Sequence, residues 1–187
     1  MTISDLSLAG VKAILPEYFE DYRGYYVESY SAKSLAIYGI DTVFVQDNHV
    51  FTLKSGTIRG LHFQNNPRSQ AKLVRCIRGT VLDIIVDLRR GSPAFKHWVS
   101  IILSEGNRKQ VYIPNGFGHA FLSLTDGCEV LYKVDDFYEP PLDRAIKWND
   151  PEIGITWPIE NPIVSPKDEN APFLKDSDVN FTMEANG

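Results

Sequence analysis

The segment from Gly56 to Gly79 reads GTIRGLHFQNNPRSQAKLVRCIRG and sets a histidine, His62, ten residues ahead of a lysine, Lys72. Imidazole titrates near neutral pH, so part of it is free to accept a proton under ordinary conditions. A lysine ammonium has three donors and no lone pair, so it attracts anions and cannot ligate a cation. Together they suit chemistry in which a base strips a proton and a fixed positive charge holds the electrons left behind. Taken singly, His62 fits equally a satisfied structural histidine, and Lys72 fits a solvated lysine on a strand.

Such residues need a rigid frame. At 187 residues, with 43% apolar and 12% aromatic content, the chain is long enough to bury a proper core. Its β-branched and aromatic runs are short and are broken by Gly, Pro, Asn and Asp, without long 3.6-residue periodicity. The pattern predicts an all-β sandwich or barrel with strands over 24–30, 42–52, 57–63, 71–77, 81–88, 98–103, 110–113, 120–124 and 129–134. SAKSLAIYG predicts one short peripheral helix, capped by Ser31 and ended by Gly39. Beyond Trp148 the density of Pro and turn residues predicts extended loops wrapped on one domain spanning 1–187, with 175–187 a loose tail. In 81–88, Leu82, Ile84, Val86 and Leu88 share an apolar face. Asp83 lies on the opposite, mixed face, which points either into a polar interior or to solvent.

Charge and cysteine usage exclude several classes. The formal charge of -5 supplies no basic field for nucleic acid, so an anionic ligand must be held by a few local Arg and Lys residues. Cys76 and Cys128 lie in apolar runs and are expected to pack as small hydrophobes rather than pair. No apolar run approaches the ~18 residues that cross a bilayer, and no basic-then-apolar leader opens the chain. The expectation is a cytoplasmic protein without membrane or nucleic-acid partners.

The Gly56–Gly79 segment is similar to a cupin metal motif in its frame but not in its ligands. Gly56 is followed at the cupin distance by His62; Gln64 stands at the second histidine position, and Lys72 at the carboxylate position seven before Gly79. His119 keeps the last ligand position, where contact with substrate or with Asp83 is the expectation. An ammonium in place of an anionic ligand points to metal-free chemistry on an anionic intermediate.

Between residues 15 and 168 the chain carries, in order, FEDYRGYYVES, FVQDN, RGLHFQ, QAKLVRCIRGTVLDIIVDLR, YIPNGFGHAF, EVLYKV, Tyr138 followed by DRAIKWNDPEIGITWP, and SPKD. It thereby resembles the dTDP-4-dehydrorhamnose 3,5-epimerase family. The resemblance implies a cupin-like antiparallel β-barrel (jelly roll) with short peripheral helices, a homodimer, and a substrate that is a nucleotide-linked 4-keto-6-deoxyhexose, with no cofactor and no metal. It makes His62 the base, Asp168 the carboxylate behind it, Lys72 the enolate clamp and Tyr132 the proton donor on the opposite sugar face. Arg23 and Arg59 would grip the diphosphate. Glu28, Gln46, Asp47 and Asn48 are implied nucleotide contacts, and Tyr138 would stack on the base. His119, Asp143 and Lys167 complete the implied substrate contacts. Arg23 and Glu28 are expected from the neighbouring subunit, whereas Arg89, Arg90 and Arg108 read as ordinary surface charge.

Two stretches depart from the family pattern. After QDN the family usually has Ser at alternate positions, whereas this chain has His49, Val50, Phe51 and Thr52; the usual AHGF is here Gly118, His119, Ala120 and Phe121. Both bear on the shape of the sugar rather than on base, acid or cation. The sequence leaves open inversion at C3 alone, a 3,4-ketoisomerase using the same enediolate, and, in a different class, a metal-dependent cupin oxygenase or a sugar-binding module.

Overall fold

Thirteen strands form among residues 1–183, which the computed structural model describes. They are β1 (Thr2–Asp5), β2 (Lys12–Leu15), β3 (Tyr18–Asp21), β4 (Gly24–Val27), β5 (Gln46–Thr52), β6 (Ile58–Gln64), β7 (Lys72–Arg78), β8 (Thr80–Asp87), β9 (Trp98–Ser104), β10 (Gln110–Ile113), β11 (Phe117–Ser123), β12 (Cys128–Val134) and β13 (Asp143–Ala145). One sheet runs β1-β2-β10-β7-β12-β5, a second runs β13-β6-β11-β8-β9, and β3 and β4 form a separate hairpin. Every ladder between these strands is antiparallel. The two larger sheets face one another as a cupin-like jelly roll, so the all-β expectation holds.

The two faces of β8 explain the layering. Val81 and Ile85 join Val74, Cys76, Val111, Phe117, Phe121 and Val130 in the core between the sheets. Ile84, Val86 and Leu88 point the other way and pack with Leu61, Ile146, Ile153, Leu174, Val179 and Phe181. The segment after β13 therefore roofs the outer face of the five-stranded sheet, as the Pro-rich composition predicts. The loose tail is a correction: Val179 and Phe181 are 4% and 3% exposed, and Thr182 bridges Arg90. Full burial of side chains of this size contributes about 1.5–3 kcal/mol each, enough to hold a short segment. Residues 184–187 of the expected tail lie outside the described residues.

The predicted helix forms as α1 (Ala32–Ala36), where the Ser31 side chain accepts from the Ser34 amide and Leu35 is buried. Gly39, at φ 74°, ends the turn that follows. A second helix, α2 (Pro166–Glu169), was not predicted; Ser165 caps it, with Pro at its first position. Strands β1, β2, β3 and β13 are also additions, each only three or four residues long.

Candidate active site

Strand β6 carries Arg59 and His62, three residues apart, which a regular strand would turn to opposite faces. Its ladder to β11 shifts by one residue between the pairs His62–His119 and Arg59–Phe121. Gly60 occupies this bulge at φ 121°, and a Cβ there would lie 2.6 Å from both Ala120 Cβ and His119 O. Only glycine fits, because it has no side chain to collide and tolerates positive φ. The phase change turns Arg59 and His62 to the same interior. Arg59 is braced there, with Nε 3.1 Å from Thr52 Oγ1 and Nη2 3.1 Å from the Phe51 carbonyl.

His62 Nε2 lies 2.6 Å from Asp168 Oδ1. Its side chain is 33% exposed, whereas that of Asp168 is 3% exposed. The carboxylate is delivered by α2, whose cap Ser165 also accepts from the Asp168 amide at 3.1 Å. Burial alone would push the Asp168 carboxyl up. The His62 hydrogen bond and charge, with bonds from Ser165 and the Gly60 amide, hold it below the usual carboxylate range. An ionised acceptor on Nε2 fixes the neutral imidazole with its proton there and its lone pair on Nδ1.

Lys72 opens β7 and is 7% exposed. Its Nζ lies 3.4 Å from the His62 carbonyl and 6.0 Å from the centre of the Tyr132 ring. Burial pushes the amine down to about 8; Asp83 and Asp143 oppose that fall, and Lys167 adds to it. Burial pushes the Tyr132 phenol up, as does Asp143, while Arg59 pulls it down. His119, the Cα partner of His62, has its Nε2 2.8 Å from Asp83 Oδ2. The mixed face of β8 therefore looks inward, and Asp83 is fully buried.

Around the mouth, Gln46 Nε2 donates to Asn48 Oδ1 at 2.9 Å, and Gln46 Oε1 accepts from the Tyr138 amide at 3.2 Å. Asp143 Oδ2 accepts from Lys167 Nζ at 2.5 Å and from the Tyr138 hydroxyl at 3.3 Å. Gln64, at the second cupin histidine position, holds loops instead: it bonds the Arg68 carbonyl, the Phe137 carbonyl at 3.0 Å and the Glu139 amide at 2.7 Å. Among the described residues, no three His, Cys, Asp or Glu side chains converge as metal ligands would.

Three expected contacts lie elsewhere in the chain. Asp47 is exposed on the outer face of β5, 2.6 Å from Lys133 Nζ, because alternation along the strand sends Gln46 and Asn48 inward and Asp47 outward. Arg23 sits on the β3–β4 hairpin, 74% exposed and 2.5 Å from Asp21. Glu28 accepts from the Ser34 hydroxyl at 3.1 Å. Residues that the sequence reading passed over are Gly60 and Ser165, and Thr52, noted there as a departure from the family pattern, braces Arg59. The signal for Ser165 was present, since Ser-Pro followed by an acid is a helix-start signature.

Comparison with known proteins gives the same family. The sequence profile of dTDP-4-dehydrorhamnose 3,5-epimerase matches residues 5–176. A protein of that name from Shigella flexneri is 42% identical over 179 residues, 95% of this chain and 98% of its own. The crystal structure of a dTDP-6-deoxy-D-glucose-3,5-epimerase from Legionella pneumophila, in complex with dTDP-4-keto-L-rhamnose, superposes with TM-score 0.93. It is 38% identical, covering 98% of this chain and 99% of that one. A Streptomyces niveus dTDP-4-dehydrorhamnose 3-epimerase is 35% identical over 178 residues, 95% of this chain and 86% of its own.

The chain belongs to the dTDP-4-dehydrorhamnose 3,5-epimerase family. Its departures from the usual family sequence now have structural places. Val50 packs against the core between the sheets, and Thr52 supplies the hydroxyl that braces Arg59. Ala120 faces Gly60 across the bulge, and Gly118 lies where a Cβ would press on Leu88 at 3.0 Å. Of the three arginines that the sequence reads as surface charge, Arg90 is exposed but two are anchors: Arg89 clamps Asp87 at 2.9 and 2.6 Å, and Arg108 lies 4.5 and 4.9 Å from the rings of Tyr18 and Tyr25.

Proposed function

We propose that this chain inverts C3 and C5 of dTDP-4-keto-6-deoxy-D-glucose, giving dTDP-4-keto-L-rhamnose. The observation that carries the reading is a carboxylate-held imidazole sharing one interior with a buried lysine and a half-buried phenol. In each inversion His62 Nδ1 takes the proton from the carbon beside the ketone. The C–H electrons move onto the C4 oxygen, where the Lys72 ammonium stabilises the enolate; one such donor is worth about 10²-fold or more in rate. Tyr132, kept protonated by its surroundings, returns a proton on the opposite face. The tyrosinate then regains a proton and the imidazolium loses one, so the enzyme ends each cycle unchanged.

Arg59 would grip the diphosphate, and Tyr138 would stack on the base, with Gln46, Asn48, His119, Asp143 and Lys167 ordering the rest. Arg23 and Glu28 would act in the neighbouring subunit of a homodimer. Support for that assembly comes from the β3–β4 hairpin, which presents Phe19, Tyr22, Tyr25 and Tyr26 at 58%, 97%, 61% and 68% exposure, more apolar surface than an isolated hairpin gains by leaving in water. Cytoplasmic residence belongs to the same reading, since Cys76 and Cys128 are both unpaired, the state a reducing compartment maintains.

Proton NMR in deuterium oxide tests the reaction: the C3 and C5 signals of the 4-keto sugar should both vanish as its configuration changes. The Streptomyces niveus relative, a 3-epimerase by name, keeps a C3-only reading in play. Exchange confined to C3 would select it, and no exchange at either carbon would remove epimerisation altogether.

A further inference from the structure

Phe137 and Tyr138 are 60% and 55% exposed, so little side-chain packing holds them, yet a ring that stacks on a base binds best when it is already in place. The backbone is held instead. Gln64, 2% exposed at the end of β6, donates from Nε2 to the Phe137 carbonyl at 3.0 Å and accepts at Oε1 from the Glu139 amide at 2.7 Å. Its other N–H goes to the Arg68 carbonyl, so both donors of the side-chain amide are in use. Between the two bonded peptide groups lies Tyr138, whose own amide donates to Gln46 Oε1 at 3.2 Å and whose hydroxyl lies 3.3 Å from Asp143 Oδ2.

We propose that Gln64 is a positioning residue for the nucleotide: it fixes the peptide groups on either side of Tyr138 and thereby sets the ring for its stack on the base. The proposal rests on the reading of Tyr138 as the base-stacking residue. A histidine, the residue that a cupin metal site has at this position, carries only two ring nitrogens and could not serve two carbonyls and an amide at once. Glutamate would still accept from Glu139 but would turn a carboxylate on two carbonyl oxygens. An apolar side chain of the same length would strip all three backbone groups of this partner, and a buried group left unpaired is costly. Glutamine alone matches the demand. His62 lies two residues earlier on β6, so one strand sets both the base that works on the sugar and the loop that holds the nucleotide. Gln64 is itself buried and acts through Tyr138.

The test is a double-mutant cycle on Gln64→Met and Tyr138→Ala, read as the affinities for dTDP and for inorganic pyrophosphate by isothermal titration calorimetry. Gln64→Met keeps length and removes all three hydrogen bonds. We expect it to weaken dTDP about tenfold, the order of a lost base–aromatic stack, to leave pyrophosphate within about twofold, and to raise KM for the sugar nucleotide more than it lowers kcat. In the Tyr138→Ala background the same substitution should weaken dTDP no further, because the ring through which it acts is gone. Equal weakening in both backgrounds, or loss of pyrophosphate affinity alongside dTDP, overturns the proposal and leaves the Tyr138 stack intact. So does a fall in kcat with dTDP affinity kept, which would make Gln64 a support of His62. Tyr138→Ala that binds dTDP as wild type does removes the stack itself and the proposal with it. Should Gln64→Met fail to fold, Gln64→Asn takes its place in the same cycle: one methylene short, it cannot reach both peptide groups, and dTDP affinity equal to wild type overturns the proposal.

Discussion

His62 and His119 are Cα partners on adjacent strands, and each imidazole is held by its own carboxylate, at 2.6 Å from Asp168 and 2.8 Å from Asp83. The pairs differ in access. The His62 side chain is 33% exposed and the His119 side chain 8%, which favours the first as the group that meets a sugar and the second as part of the wall. Loss of the carboxylate behind His62 should therefore be the more damaging to turnover.

Asp168→Asn should lower kcat about 10²- to 10⁴-fold with a smaller change in KM, because an amide no longer fixes the tautomer or stabilises the imidazolium. Its effect on stability should depend on pH. The native carboxyl sits below its ordinary range, so its contribution is present above the unfolded pKa and is lost as pH falls through the folded one. Chemical denaturation of both proteins, from neutral pH downward, should show their difference shrinking below about pH 4.

Lys72→Met should cost about 10²-fold or more in kcat and should change the pH dependence of stability. The folded amine is pushed down to about 8 from an ordinary value near 10.5, so the native state binds fewer protons than the unfolded chain between those values. Stability then rises with pH across that window. Melting temperatures measured between about pH 7.5 and 9.5 should show wild type gaining on Lys72→Met as pH rises. A constant offset would mean that the amine is not desolvated.

Gly60→Ala tests the bulge. Its methyl would meet Ala120 and the His119 carbonyl at 2.6 Å with φ at 121°, so backbone must move. We expect a loss of about 2–4 kcal/mol, or roughly 5–15 °C in Tm for a chain of this size. Nucleotide affinity and turnover should fall together, since Arg59 and His62 share the displaced strand. Differential scanning calorimetry with steady-state kinetics reads both.

Mixing two inactive variants tests the shared site. If Arg23 serves the partner, Arg23→Ala and His62→Ala subunits allowed to reassort should regain about one quarter of wild-type activity, because half of the dimers are mixed and each holds one intact site. No recovery after verified exchange of subunits would return Arg23 to a purely local role.

Removing residues 177–187 should destabilise the protein by several kcal/mol, at about 1.5–3 kcal/mol for each of Val179 and Phe181. Urea unfolding of the shortened chain checks it; unchanged stability would mean that the roof over β8 ends with Leu174.

Most of the fold was legible because the longer strands carry their own signal. β8 announced two faces in a single octet, and β10 falls on the expected residues. Val179 and Phe181 were not legible: two apolar residues in a polar stretch look like a tail until the groove receiving them is known. The interior around His62 and Lys72 was foreshadowed by their spacing, but the side of the sheet each neighbour takes was not. Asp47 stands inside a well-matched block and still faces outward, because period-two alternation outranks block membership. Arg108 read as plain surface charge since nothing local reveals the rings of Tyr18 and Tyr25 around it.

The imidazole and its carboxylate are 106 positions apart in the chain, and α2 arrives only after every strand has been laid down. A chain ending before Ser165 would contain every strand and still leave His62 without its carboxylate partner. Activity therefore reports on a segment that adds no strand to either sheet, the short helix that delivers Asp168 to the imidazole.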